Sequence, residues 1–420
     1  MKLSEYDREL LSGGQGRAKQ IAMEIVCRMG ELYHAPELIS ITRAHIDGCS
    51  YTAVWDAGLE FAEMLAEAGG KVAVPTSLNI GSCDGFNGKA FGNPDDFTEK
   101  CRRMERAYYR MGCIPSWTCA SYQYCNIPAF GEHVAFAESN VVNFCNSVLG
   151  ARTERNGDLL DICCALTGRV PAMGLHLTEN RYGTMVFDVS ELRSDRLNDP
   201  SGFAALGYLV GAETGGHVPV IDGFKERVGA EALKAFSAAS AASGSVGLFH
   251  VTGTTPEAPD LRTALGGHAA KETVLVTDQM LEEAFQRLSS EGRTVPETPV
   301  DLVVMGCPHL SFSEFVRIMG YLGNRRRADN TEFWLQTSDT VYHLLSRIGM
   351  TEKALRAGIK IMRDSCILNQ PMEMWKFKTV VSNSGKMAHY APGSLNADVY
   401  FRNTKTCVET AVAGRLVNES

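Results

Sequence analysis

"DLVVMGCPHLSFSEF", residues 301–315, is the most informative stretch of the chain. Leu302 to Met305 is an unbroken apolar run, the pattern of a strand buried on both faces, and such strands belong to parallel sheets covered by helices. The run stops at Gly306, Cys307, Pro308 and His309, and a helical period follows in Phe312, Phe315 and Ile318. In open α/β sheets, ligands collect outside the carboxyl ends of the strands, and Cys307 sits at such an end. A thiol there is either a small buried hydrophobe, the commoner fate of cysteine, or a ligand or nucleophile.

The alternation continues on either side. Toward the C-terminus the pattern predicts a strand over 332–337, helices through 338–359 and an apolar strand-like segment near 378–381. Residues 174–295 are rich in Ala and Gly. There "GYLVGAETGGHVPVIDG" predicts a helix ending in a glycine loop, "EALKAFSAASAASGS" a second helix, and "GLFHVTGTTPEAPD" a short strand feeding a loop. The first segment opens with helices, one started by Ser4 and Asp7, the next running to Tyr33. A strand from Leu38 to about Ile41, a polar loop holding His45 and Asp47, a helix over 52–68 and a strand at "KVAVP" follow. Amphipathic helices are expected over 94–111 and 132–148. The intervening "GCIPSWTCASYQYCNIPAFGEH" suits a site loop better than regular structure.

A chain of 420 residues exceeds one core, and three domains are expected, at 1–172, 173–294 and 295–420. Net charge of -8 without clustered Lys and Arg argues against a nucleic-acid surface. "MKLSEYDREL" carries charge where a signal peptide needs an apolar run, and no stretch approaches the roughly 18 apolar residues of a membrane span. The expected compartment is the cytoplasm, with no membrane partner. There, thirteen cysteines are not a disulfide framework.

No P-loop, GxSxG, HExxH or CxxC motif is present. Cys27, Cys101, Cys145, Cys163 and Cys164 fall in helical patterns and read as core. Cys119, Cys307 and Cys366 differ, each lying in a loop or at an element end with polar companions: "SWTCASYQY", "MGCPHLS" and "MRDSCIL". Three thiolates could hold iron or an iron-sulfur cluster with one position open; taken singly, each is more often structural than catalytic. His45 is open to an acid/base role or to a hydrogen-bonded structural one. "SNSGKMAHYAPG", residues 382–393, reads as a turn that could hold a carboxylate or phosphate, or as a solvated one.

Several motifs, in order, resemble one family: "ELLSGGQGRAKQIAMEI", "ITRAHIDGCSY", "VAVPTSLNIGSCD", "TCASYQYCNIPAFGEHVAFAESNVVNFCNSVLGARTERNG", "GCPHLS", "RDSC" and "SNSGKMAHYAPG". Over essentially its whole length the chain resembles the large, catalytic part of aconitase X, a divergent branch of the aconitase superfamily. The resemblance implies a multidomain, three-layer α/β architecture with mainly parallel sheets and the site at a domain interface. It implies a hydro-lyase in which an iron-sulfur or iron centre helps remove a hydroxyl as water. By family pattern the ligands fall on Cys119, Cys307 and Cys366. His45 is similar to the histidine that handles the leaving hydroxyl, and Glu138, Asn140 and Asn146 lie on the helix beside the centre, with Glu138 catalytic. Asn79, Asn140, Asn146, Ser382, Ser384 and Lys386 resemble substrate contacts.

Two departures qualify the match. The family's small swivelling domain has no counterpart in these 420 residues, which implies a separate small subunit. "CASYQYCN" replaces a commoner Cys-Thr-Pro-Tyr pattern, leaving open Cys119 or Cys125 as ligand, and a 4Fe-4S cluster, a 2Fe-2S cluster or mononuclear iron as the centre. Family members dehydrate cis-3-hydroxy-L-proline or mevalonate 5-phosphate. The composition lacks the Lys/Glu enrichment and Cys depletion of a hyperthermophile, which favours the mainly bacterial substrate, the hydroxyproline. A mevalonate 5-phosphate dehydratase large subunit is the second reading, and an iron-sulfur redox or iron sensor without catalysis the third.

Overall fold

Ser4 and Asp7 exchange side-chain and backbone hydrogen bonds at the head of helix α1 (Glu5–Leu11), a capping box that starts the chain. The structure is a computed structural model that describes residues 1–290, 297–371 and 375–419. The expected boundary at 294/295 lies outside the described residues. By its internal contacts the chain divides into two compact units, residues 1–182 with 247–249 and 255–257, and residues 183–246, 250–254 and 258 onward.

In the first unit α2 (Arg17–Leu32), β1 (Leu38–Ser40), β2 (Ala44–Ile46), α3 (Tyr51–Glu67), β3 (Thr76–Leu78), α4 (Asp95–Arg110), β4 (Ala135–Phe136), α5 (Ser139–Phe144), α6 (Leu160–Thr167) and β5 (Arg169–Pro171) follow in order. β2 is the centre of a parallel sheet ordered β3-β2-β4, and β1 pairs antiparallel with β5. The core packs Met23, Leu59, Leu65, Met104, Tyr108 and Ile162, all fully or almost fully buried, from α2, α3, α4 and α6.

Three expectations change here. His45 is not in a polar loop but in β2, paired on both sides. "KVAVP" is not a strand, because its backbone bonds go to helices, Val72 N–H to Met111 at the end of α4 and Ala73 N–H to Ala165 in α6; the strand begins after Pro75. The helix expected from residue 132 starts at Ser139, because Glu138 caps it and 135–136 are drawn into the sheet against β2.

The second unit contains β6 (Met185–Asp188), α7 (Pro200–Thr214), β7 (Pro219–Asp222), α8 (Ala230–Gly244), β8 (His250–Val251), α9 (Leu261–Ala264), β9 (Glu272–Leu275) and α10 (Asp278–Arg287). It continues with β10 (Leu302–Met305), α11 (Phe312–Leu322), β11 (Glu332–Thr337), α12 (Asp339–Ser346), α13 (Met350–Arg356), β12 (Lys360–Arg363), β13 (Thr379–Ser382), α14 (Gly385–Leu395), β14 (Asp398–Phe401) and α15 (Thr404–Ala413). Its two sheets, β8-β7-β6-β9 and β12-β11-β10-β13-β14, are parallel throughout, as the apolar run of β10 requires. α7 and α8 approach at backbone distance: a Cβ on Gly207 would lie 2.4 Å from the Phe236 carbonyl oxygen. β12 has no counterpart among the expected strands. The predicted 382–393 turn is instead the end of β13 followed by α14, with Ser384 as its N-cap.

Candidate functional site

β10 ends at Met305, and Gly306 turns the chain with φ of 106°. A Cβ there would stand 2.3 Å from the Gln336 carbonyl oxygen, so the loop carrying Cys307 lies directly against β11. Leu310 N–H donates to that carbonyl at 3.0 Å, and Thr337 Oγ1 donates to the Leu310 carbonyl at 2.8 Å. The second cysteine loop, beyond β12, is tied to the same place. Gln336 Oε1 accepts the Ile367 N–H at 2.6 Å, and His309 Nε2 donates to the Ser365 carbonyl at 3.0 Å. Gln336 and His309 are both buried, so these bonds are shielded from water.

β13 and α14 close the third side. Ser384 caps α14 by accepting the Met387 N–H at 3.1 Å, and its hydroxyl donates to the Cys307 carbonyl. Ser382 Oγ accepts the Ser384 N–H at 3.2 Å. Lys386 lies in the first turn of α14. Burial pushes the Cys366 thiol up to about 12, Cys307 raises it further, and the Leu368 and Asn369 N–H groups and the Lys386 ammonium pull against it. Cys307, half-buried, lines a cleft of about 40 Å³ with Pro308, Ser384, Gly385 and Lys234. The Lys234 ammonium is itself buried, donating to the His309 carbonyl at 2.7 Å and to Glu314 Oε2 at 2.6 Å.

The first unit carries the remaining candidates. His45 is fully buried, and burial pushes its imidazole down to about 3, so it is neutral at physiological pH. Its Nδ1 lies 2.8 Å from Ser77 Oγ, which in turn accepts from Asn126 Nδ2 at 2.7 Å. His45 Nε2 and Asn79 Oδ1 are buried without a hydrogen-bond partner among the described residues. Asn79 Nδ2 donates to Asp47 Oδ1. Cys119 is buried in its loop, and Asn140 Nδ2 donates at 3.0 Å both to the Cys119 carbonyl and to the Tyr122 hydroxyl. Glu138 Oε2 accepts the Val141 N–H at 2.8 Å at the head of α5.

Asn146 differs from the others. Its Nδ2 donates to the Thr153 and Gly247 carbonyls at 2.8 and 2.9 Å, while its Oδ1 accepts from Thr153 N–H and Arg181 at 3.0 and 3.2 Å. Both donors and both lone pairs are spent, which leaves no group for a substrate. Its work is to hold the chain around 146–153. The structure adds Ser77, Asn126, Gln336, His309 and Lys234 to the residues marked by sequence. His309 lies in the opening stretch itself, two residues from Cys307, whereas the Ser77 link could not be read locally, since Ser77 is 32 residues from His45 and 49 from Asn126.

The donor chemistry suits an iron-sulfur centre in part. Cys307 and Cys366 are neighbouring thiols from two stitched loops, with a lysine and a helix N-terminus beside them to favour thiolate charge. Cys119 belongs to the other unit, and among the described residues no three His, Cys, Asp or Glu side chains gather closely enough to hold a metal ion.

The comparisons with known proteins agree in direction. Family models for the aconitase X first, second and third domains match residues 1–179, 183–286 and 300–413. The chain is 42% identical over 417 residues to a cis-3-hydroxy-L-proline dehydratase of Pseudomonas aeruginosa, covering 99% of this chain and 70% of that protein. It is 36% identical over 390 residues to a phosphomevalonate dehydratase large subunit of Thermococcus kodakarensis, covering 93% and 95%. A solved structure, Thermococcus kodakaraensis aconitase X in its holo-form, superposes with a TM-score of 0.86 at 33% identity, covering 98% of this chain and 100% of that one.

Proposed function

Because the chain belongs to the aconitase X family, we propose that it is a hydro-lyase that removes water from a small hydroxy acid, with cis-3-hydroxy-L-proline as the leading substrate. The observation that carries this reading is that the loops of Cys307 and Cys366 are stitched together by Gln336 and His309. Of the two lysines near the cysteine loops, Lys234 is spent on the His309 carbonyl and Glu314, so Lys386 is the candidate for a carboxylate; a phosphate would want more than one converging cation. The 42% identity to a hydroxyproline dehydratase points the same way, and mevalonate 5-phosphate is the second candidate.

In this reading Cys307, Cys366 and Cys119 hold an iron-sulfur centre. That centre, when bound, supplies Lewis acidity toward the departing hydroxyl. The chain's own residues do the rest. Lys386 and the α14 N-terminus offset the negative charge of thiolates and substrate carboxylate, while Ser384 fixes the Cys307 loop. His45 presents Nε2 toward the leaving oxygen, Asn79 offers its unpartnered Oδ1, and Glu138 stands at the α5 head as a proton-handling carboxylate. Asn140 keeps the Cys119 backbone in place. A small swivelling-domain subunit, of the kind that the large-subunit relative's name implies, is the partner in this reading. Thirteen cysteines suit the reducing cytoplasm.

Iron and acid-labile sulfide per chain after anaerobic reconstitution, in wild type and in a Cys119/Cys307/Cys366 triple alanine variant, test the centre. Metal and sulfide in the wild type alone are expected, followed by turnover of hydroxyproline with the small subunit. No specific iron in either protein would withdraw the dehydratase reading.

A further inference from the structure

The first unit contains a hydrogen-bonded chain, Asn126 to Ser77 to His45, whose donors can be assigned from its geometry. Asn126 Nδ2 lies 2.8 Å from the Ala44 carbonyl and 2.7 Å from Ser77 Oγ, so its two amide hydrogens go to those two oxygens. The reverse amide orientation would set an oxygen against a carbonyl. Ser77 Oγ therefore accepts from Asn126 and has one proton of its own to give. Two acceptors compete for it: His45 Nδ1 at 2.8 Å, and the Ala44 carbonyl, already engaged by Asn126, at 3.4 Å. The shorter contact takes the proton.

We propose that Ser77 and Asn126 are positioning residues that lock His45 in the tautomer protonated at Nε2, so that the ring meets the substrate as a neutral hydrogen-bond donor to an oxygen. This rests on the hydro-lyase reading above for the identity of that oxygen, the leaving hydroxyl or a carboxylate of the hydroxy acid. Three observations converge on it. Nδ1 lies 2.8 Å from the Ser77 hydroxyl, which has no acceptor as near among the described residues, Nε2 is the buried atom without a partner, and the ring is fully buried. A buried N–H with nothing to donate to is unfavourable, a cost that a bound substrate oxygen would remove. Phe136 stands edge-on to the imidazole, its ring centroid 5.9 Å away. Ser77 also lies on β3, in register with His45 on β2, so the sheet itself sets the Oγ to Nδ1 distance.

The test reads the ring directly. The full chain is labelled with ¹⁵N-histidine, and His45 is assigned in a long-range ¹H–¹⁵N correlation by its absence from His45→Gln. At neutral pH the wild type is expected to show an unprotonated Nδ1 and a protonated Nε2. Ser77→Ala should convert this to a mixture of tautomers, and Ser77→Thr should restore the wild-type pattern. Where Ser77→Ala does not fold, Asn126→Ala reads the same balance, because a serine relieved of Asn126 can accept from Nδ1–H. In turnover with the small subunit, Ser77→Ala should lower kcat by about tenfold or more with KM changed less than about twofold, and Ser77→Thr should recover it. A wild-type His45 protonated at Nδ1 or at both nitrogens, or a tautomer indifferent to Ser77 and Asn126, overturns the proposal. An Nε2–H tautomer that responds to Ser77 in a chain dehydrating neither substrate upholds the assignment and instead sinks the hydro-lyase reading.

Discussion

The buried carboxylate of Asp161 accepts the backbone N–H of Asp47 at 2.6 Å and that of Gly48 at 3.1 Å, and so holds the turn that follows His45. Full burial pushes this acid up to about 7 despite those bonds and a third from Ile162. The native state thus binds its proton more tightly than the unfolded chain. Between the ordinary value of 3.8 and about 7, stability falls as pH rises, by about 4 kcal/mol in total, and is flat above. His45, His176 and His309, held down at about 3, 3 and 4, run the other way, adding stability as pH rises toward about 6.5. The expected outcome is therefore a difference: Asp161→Asn should gain on the wild type as pH is raised from 5 to 7.5, in urea unfolding measured at both. Parallel pH profiles for the two proteins would contradict it.

The Cys119 loop offers a second check. Asn140→Leu removes the amide that donates to the Cys119 carbonyl and the Tyr122 hydroxyl, leaving both buried oxygens short of a donor. A loss of about 1–3 kcal/mol is expected, with the fold kept. Peptide mapping after mild alkylation should find Cys119 labelled faster in the variant, while Cys163 and Cys164, fully buried in α6, stay protected.

Gly306 and Gly320 make a contrasting pair. Gly306→Ala meets the Gln336 carbonyl oxygen at 2.3 Å from a left-handed φ, and should destabilise by about 2–4 kcal/mol. Gly320→Ala, in the exposed interior of α11 with open space around it, should stabilise by about 0.5–1 kcal/mol. Thermal unfolding of the two variants should shift in opposite directions.

What could be read from sequence followed the strength of the local pattern. β10 and α11 were legible because an apolar run buried on both faces meets a complete capping box, Ser311 with Glu314. β11 spans the expected 332–337 for the same reason. His45 was misplaced because a three-residue strand carries too little period to be told from a loop. α14 was hidden by Pro392 and Gly393, which read as turn residues although the helix passes through both. In the candidate site, polar company marked Cys307 and Cys366. The amides were not separable by sequence, since only geometry distinguishes Asn146, with every group engaged, from Asn79, with Oδ1 unpartnered.

The close approach of α7 to α8 reaches further than packing. A Cβ on Gly385, at the head of the helix that presents Ser384 and Lys386, would lie 3.0 Å from the Ala239 methyl and 3.3 Å from that of Ala204, and those two methyls belong to the same helix pair. Mutational drift in α7 or α8 by a single carbon therefore arrives at α14, although neither of these two helices contributes a cysteine. In a directed-evolution campaign the two helices would behave as an inheritance block, best exchanged between relatives as one segment from 200 to 244 with the start of α14 carried along.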